Sequence, residues 1–338
     1  MLLHLLLFIM CFCAVPRFNS RYPLWLLGIF IGTLIFGIRV NYGNDFESYS
    51  ESFYLSEIGV YFWGMADILY VFFIEVSPSF EFFIFVTTFL LFLSIALVGS
   101  ALPRHERFFF ICLYFLNPFI FLMQLSAIRQ SIAISFVNFA AFLIIKNKNK
   151  LSFVLSSIAS LAHSSAIVSA PALIVGSLLS ERISKVYVAF FAFTSVILGL
   201  YLFPYLENFL LSIEQLSGYI HYLEEAEQGS LMSFVLSVML LSFIIIRYDT
   251  IHKSVALLSI FGLIVKLIST NALMLSRIVM YFDVFILISF SFLLFKERSS
   301  WFGFWLFGVL TVTYIFRYIK FFVSQYWVMF HDLDVLLF

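Results

Sequence analysis

Long apolar runs separated by short polar breaks fill the chain from end to end. They occupy Leu2–Val15, Leu24–Ile38, Phe80–Leu102, Phe108–Leu122, Ser131–Ile145, Leu151–Leu179, Val186–Phe203, Leu231–Ile246, Ser254–Ser269, Ile278–Phe295 and Trp301–Phe316. A helix crossing a bilayer needs roughly 20 apolar residues, with a range near 17–25. The runs lack the period-2 alternation of lipid-facing strands, so a barrel is excluded. The pattern predicts an all-α polytopic membrane protein of about 10–12 transmembrane helices. One membrane domain over residues 1–338 is expected, with its larger polar connections near 39–79 and 204–230. The first run, in MLLHLLLFIMCFCAVPR, has no basic leader and no A-x-A cleavage site, and is read as a retained span. The aromatic tail Phe321–Phe338, with Tyr326 and Trp327, is expected to lie as an interfacial helix.

Leu151–Leu179 does not fit a single crossing. It is too long, and basic residues flank both ends, at Lys150 and at Lys185. A re-entrant or short helical hairpin turning at His163–Ser165 reconciles the two. Irregular backbone at that depth is tolerated inside protein or along a water-filled cavity, which places His163 away from lipid.

Composition strengthens the membrane reading. The chain is 63% hydrophobic and 11% charged, with a mean hydropathy of +1.07. An average soluble domain carries about 25% charged residues. Net charge is zero, so no global field attracts nucleic acid. Cys11, Cys13 and Cys112 lie within apolar runs and read as small packed hydrophobes. The chain has no H-E-x-x-H, P-loop, G-x-S-x-G or Cys/His metal spacing, so neither a metal nor another cofactor is expected.

The charges also orient the spans. Basic clusters at Arg17/Arg21, Arg104/Arg107, Lys146/Lys148/Lys150, Arg182/Lys185, Arg247/Lys253 and Lys296/Arg298 fall on one side, the expected cytoplasmic face. Six basic residues lie at the other boundary: Arg39, Arg129, Lys266, Arg277, Arg317 and Lys320. A cation near hydrocarbon costs roughly 2.5–3.5 kcal/mol at a helix centre. Such residues either snorkel to headgroups or line a cationic cavity for an anionic ligand, and a guanidinium fork suits phosphate. His163 is either a packing residue or a general base. In Arg39-Val-Asn-Tyr-Gly-Asn-Asp45-Phe-Glu-Ser-Tyr49, Asp45 and Tyr49 share a face if a helix follows, and Asp45 equally suits a helix cap. Asp283 is expected to pair with another buried polar group, with Lys266 as a candidate partner.

The order of these clusters resembles the EpsG-type Wzy family, the membrane polymerases of bacterial O-antigen and exopolysaccharide. The resemblance runs through Arg39, Gly43, Asp45 and Tyr49, then Arg129-Gln130 with Ala133, then His163-Ser-Ser165-Ala166, and then Arg277 with Tyr281. Asn44 stands where a threonine is commoner. The resemblance implies a glycosyltransferase at the periplasmic face of the bacterial inner membrane. It would join undecaprenyl-pyrophosphate-linked oligosaccharides, in membrane lipid, with a separate chain-length regulator as a possible partner. Under it, Arg129 and Arg277 take the pyrophosphate, His163 or Asp45 serves as base, and Arg39, Tyr49, Gln130, Ser165 and Tyr281 bind substrate. A lipid-linked oligosaccharide flippase and an O-antigen ligase are the rival readings.

Overall fold

The computed structural model describes residues 2–17, 23–60, 67–211, 231–269, 275–330 and 334–335. These are almost wholly helical: α1 (Leu2–Cys13), α2 (Leu24–Gly37), α3 (Phe46–Glu57), α4 (Ile68–Glu75), α5 (Phe80–Ala101), α6 (Arg104–Phe115), α7 (Pro118–Ser126), α8 (Ile128–Ile145), α9 (Asn149–Ala162), α10 (Ser169–Leu179), α11 (Lys185–Leu211), α12 (Leu231–Ile246), α13 (Lys253–Ile268), α14 (Ser276–Val279), α15 (Asp283–Lys296) and α16 (Trp301–Val323). The chain is an all-α polytopic membrane protein. Among the described residues, four helices, α5, α8, the first 18 residues of α11 and α16, are long and apolar enough to cross a bilayer, or five spans if the bent pair α6–α7 counts as one. Several others, including α1, α2 and α12, are apolar but shorter. The second polar connection is partly taken up by α11, which continues to Leu211, and the rest of it lies outside the described residues.

Local chemistry sets several boundaries. The Ser79 side chain accepts from the Phe82 amide to start α5, and that of Ser300 accepts from the Gly303 amide to start α16. The expected span Phe108–Leu122 is broken, because Pro118 has no amide hydrogen and disfavours helical backbone at Asn117. The two halves, α6 and α7, meet at 64°. The Tyr314 hydroxyl donates to the Leu113 carbonyl near this break. The expected polar connection 39–79 is itself structured, since it holds α3 and α4.

Helix α8 forms the centre of the bundle, with 72% of its span buried against α5, α9 and their neighbours, whereas the spanning part of α11 is 11% buried and faces outward. The basic connections converge on one end. His252 Nε2 lies 3.2 Å from Asn147 Oδ1, Lys253 lies 3.7 Å from Glu181, and Arg247 lies 3.1 Å from Glu297. His105 stacks on Phe295.

The hairpin expectation also describes the fold. Helix α9 ends at Ala162, a 3-10 turn spans Ser164–Val168, and α10 runs back along α9. Ser156 and Ser169 share a hydrogen bond of 2.7 Å across the pair. Both roots of the hairpin touch one connection, through Asn147 to His252 and through Ser180 to Ser254 and Tyr248. Its tip, at His163, therefore points to the opposite end.

The C-terminal segment corrects the interfacial-helix expectation. After α16 it forms a 3-10 helix at Gln325–Phe330, then a strand, β2 (Asp334–Val335), antiparallel to β1 (Arg39–Val40). Unpaired backbone groups beyond α2 find their partners there. Tyr42 packs edge-on against Phe330, and the Gly43 amide donates to the Met329 carbonyl.

Candidate functional site

At the end opposite the basic connections, the segment after β1 turns sharply. Asn41 and Gly43 both have positive φ, at 49° and 87°. A Cβ on Gly43 would press into the Ser126 side chain, so the loop lies directly on the C-terminus of α7. That contact brings Asp45 beside the start of α8. Asp45 flanks α3 but makes no cap bond with its side chain. Instead it lies in the fields of Arg277 and Arg129. Its surroundings desolvate the carboxyl and raise its pKa above the ordinary value, while the two guanidinium groups oppose that shift. One turn later, Tyr49 is buried, and its hydroxyl lies 3.5 Å from the Arg129 backbone amide.

Arg129, at the first turn of α8, donates from Nη1 to Asp67 Oδ2 at 2.9 Å. The same oxygen lies 3.9 Å from His163 Nδ1, close enough for charge interaction but too long for a direct hydrogen bond. The Asp67 side chain is 5% exposed, against 17% for Arg129 and 12% for His163. Burial resists ionisation of Asp67, but His163 and Arg129 outweigh it and hold the carboxyl below its usual range. Tyr70 walls the cluster, with the Arg129 guanidinium carbon 5.9 Å from its ring and the Tyr49 ring 6.0 Å away.

The hairpin tip closes the other side. Ser165 shares a hydrogen bond of 2.9 Å with the Tyr281 hydroxyl, and Gln130 lies against the same hydroxyl. Tyr281 follows α14, which carries the exposed Arg277. Thus Asp45, Tyr49, Arg129, Gln130, His163, Ser165, Arg277 and Tyr281 gather at one end of the bundle. Arg39 is engaged differently. Its Nη1 donates to the Phe36 carbonyl at 2.7 Å and to Thr88 Oγ1 at 2.5 Å, and its Nη2 donates to the Leu125 carbonyl at 2.7 Å. It is 4% exposed and ties α2, α5 and α7 together beneath the loop.

Asp67 and Tyr70 are the participants that sequence reasoning missed. Asp67 stands immediately before the apolar run Ile-Leu-Tyr-Val-Phe-Phe, where an aspartate ordinarily reads as a helix cap. It does precede α4, yet its side chain makes no cap bond there. No local spacing links it to Arg129, sixty-two positions away.

Fold and site define a polytopic helical membrane protein whose bundle carries ionised groups at one end and basic connections at the other. The chain belongs to the EpsG family, whose sequence model matches residues 22–330. This is the EpsG-type polymerase family that the order of motifs resembles. Comparison with curated proteins gives no match, and comparison with solved structures gives none.

Proposed function

We propose that the protein is a glycosyltransferase that polymerises undecaprenyl-pyrophosphate-linked oligosaccharide units into exopolysaccharide or O-antigen, with its site facing the periplasm. The observation that carries this reading is the Asp67 carboxylate shared by Arg129 and His163, with Arg277 and Asp45 close by. It supplies a preorganised cation for a leaving diphosphate beside a candidate base for an incoming hydroxyl.

In the step proposed, the acceptor hydroxyl oxygen bonds to the anomeric carbon of the donor sugar. The bond from that carbon to the diphosphate oxygen breaks, and undecaprenyl diphosphate leaves with its electron pair. The hydroxyl proton passes to His163 or, in its place, to Asp45. Direct displacement inverts the anomeric centre. Asp67 fixes one arm of the Arg129 fork before substrate arrives and stabilises positive charge forming on His163. Arg277, exposed at the mouth, completes the diphosphate clamp. Ser165, Gln130 and Tyr281 form a hydroxyl-and-amide wall suited to sugar.

A transporter of the same lipid calls for charges deep in several spans. Lys266 instead stands in the last turn of α13, and Asp283 is the first residue of α15. Reconstituting the purified chain with defined lipid-linked repeat units tests the reading. A ladder of products spaced by one repeat is expected, and unchanged starting material would reject it.

A further inference from the structure

Three charged side chains lie outside the cluster just described. Lys266 is in the last turn of α13, Asp283 opens α15, and Arg317 lies about three-quarters of the way along α16 toward the same end of the bundle. Helices α13 and α15 pack closely, since a Cβ on Gly262 would come within 2.5 Å of Phe282 Cβ. Lys266 follows Gly262 by four residues and so shares that face of α13. Asp283 follows Phe282 directly and so lies beside that contact, and α16, which carries Arg317, packs against α15.

Arg39 shows how this protein holds a guanidinium when the role is structural: two carbonyls and a threonine hydroxyl accept from its two Nη groups. Lys266 and Arg317 are treated otherwise. Among the described residues, neither cationic group has a hydrogen bond or an ion pair within 4.0 Å. Both side chains are half-buried. An ammonium offers three donors and a guanidinium five, and donors withdrawn from bulk water need acceptors. Hydrocarbon provides none, whereas the phosphate oxygens of a lipid headgroup do. A lysine and an arginine beside a single aspartate present more donors than that carboxylate can accept from, which suits a phosphate ester.

We propose that Lys266 and Arg317, with Asp283 in their shared field, form a second phosphate seat that takes the headgroup of a membrane lipid. Under the polymerase reading, on which this identification of the lipid rests, that headgroup is the diphosphate of the second lipid-linked saccharide. Such an enzyme must hold two lipid anchors at once, one leaving from the Arg129 cluster and one retained. The seat itself does not depend on that reading, because a bulk anionic phospholipid presents the same phosphate chemistry.

Native mass spectrometry of the full chain, released from micelles charged with undecaprenyl diphosphate or with phosphatidylglycerol, counts the lipids held. The wild type is expected to hold two undecaprenyl diphosphates, and the K266Q/R317Q variant one. Its remaining lipid, held at the Arg129 cluster, also reports that the variant is folded. D283N keeps both cations and removes the opposing charge, so it is expected to hold its second lipid at least as tightly as the wild type. If K266Q/R317Q retains every lipid that the wild type holds, or if D283N weakens the second lipid by about tenfold or more, the seat is overturned. If phosphatidylglycerol is held and lost in K266Q/R317Q while undecaprenyl diphosphate is never held, the seat stands and the polymerase reading falls.

Discussion

Asp67 and Arg129 stand sixty-two positions apart and meet in an ion pair of 2.9 Å. The pair joins the segment before α4 to the start of the most buried spanning helix, and His163 approaches the same carboxylate oxygen from the hairpin tip. Three chain segments therefore converge on one atom. The following expectations concern what each participant does there.

Replacing Asp67 with Asn keeps its shape and removes its charge. Loss of the charged hydrogen bond is expected to destabilise the chain by about 1–3 kcal/mol, read as a lower unfolding midpoint in detergent. The pH dependence has a definite sign. The carboxyl titrates lower in the folded chain than in the unfolded one, so its contribution is full above the ordinary aspartate range. It disappears as pH falls through the depressed folded value. Asp67→Asn should flatten that acid limb, and an unaltered limb would show that the pair contributes nothing.

Arg39→Ala tests structure rather than chemistry. Each buried acceptor left without its donor is expected to cost about 1–3 kcal/mol. Abundance and thermal stability should fall, while polymer made per folded molecule stays near wild type. A stable, abundant but inactive Arg39→Ala protein would place Arg39 in the reaction instead.

Under the proposed polymerase reading, Arg129→Lys and His163→Gln separate leaving-group support from proton transfer. Lysine keeps the charge but loses the planar fork, and a loss of about 10²–10³-fold in turnover is expected. Removing a general base is expected to slow turnover by about 10²–10⁴-fold, with little change in the concentration of lipid-linked substrate needed. Long polymer from His163→Gln at wild-type rate would leave Asp45 as the base.

Gly43→Ala should act at a distance through the loop. The positive φ costs an L-residue about 1–2 kcal/mol, and the new Cβ meets Ser126. The second substitution Ser126→Gly is expected to relieve the collision but not the backbone strain, giving partial recovery of activity. Complete recovery would assign the whole effect to crowding.

Much of this arrangement was legible in the sequence because membrane physics is coarse. Apolar runs marked most helices, and the asymmetry of Lys and Arg grouped the connections that the fold brings together. The two basic flanks of Leu151–Leu179 were enough to require the hairpin, and the oddly placed Arg129, His163 and Arg277 turned out to gather at one end of the bundle. What stayed hidden depends on tertiary contact. Asp67 reads as a helix cap until its distant partner is seen. Arg39 looks like its neighbours in the list of unusual cations until Phe36, Thr88 and Leu125 are found around it. Pairing of the aromatic tail with Arg39–Val40 has no signal in either segment alone.

The hydrogen bond between Ser165 and Tyr281 spans 116 positions. Ribosomal synthesis delivers the hairpin tip long before its tyrosine partner, so a nascent chain carries Arg129 and His163 without the Tyr281 hydroxyl that Ser165 and Gln130 adjoin. The cluster of Asp67, Arg129 and His163 is thus joined by its last wall residue only when more than four-fifths of the polypeptide has been inserted.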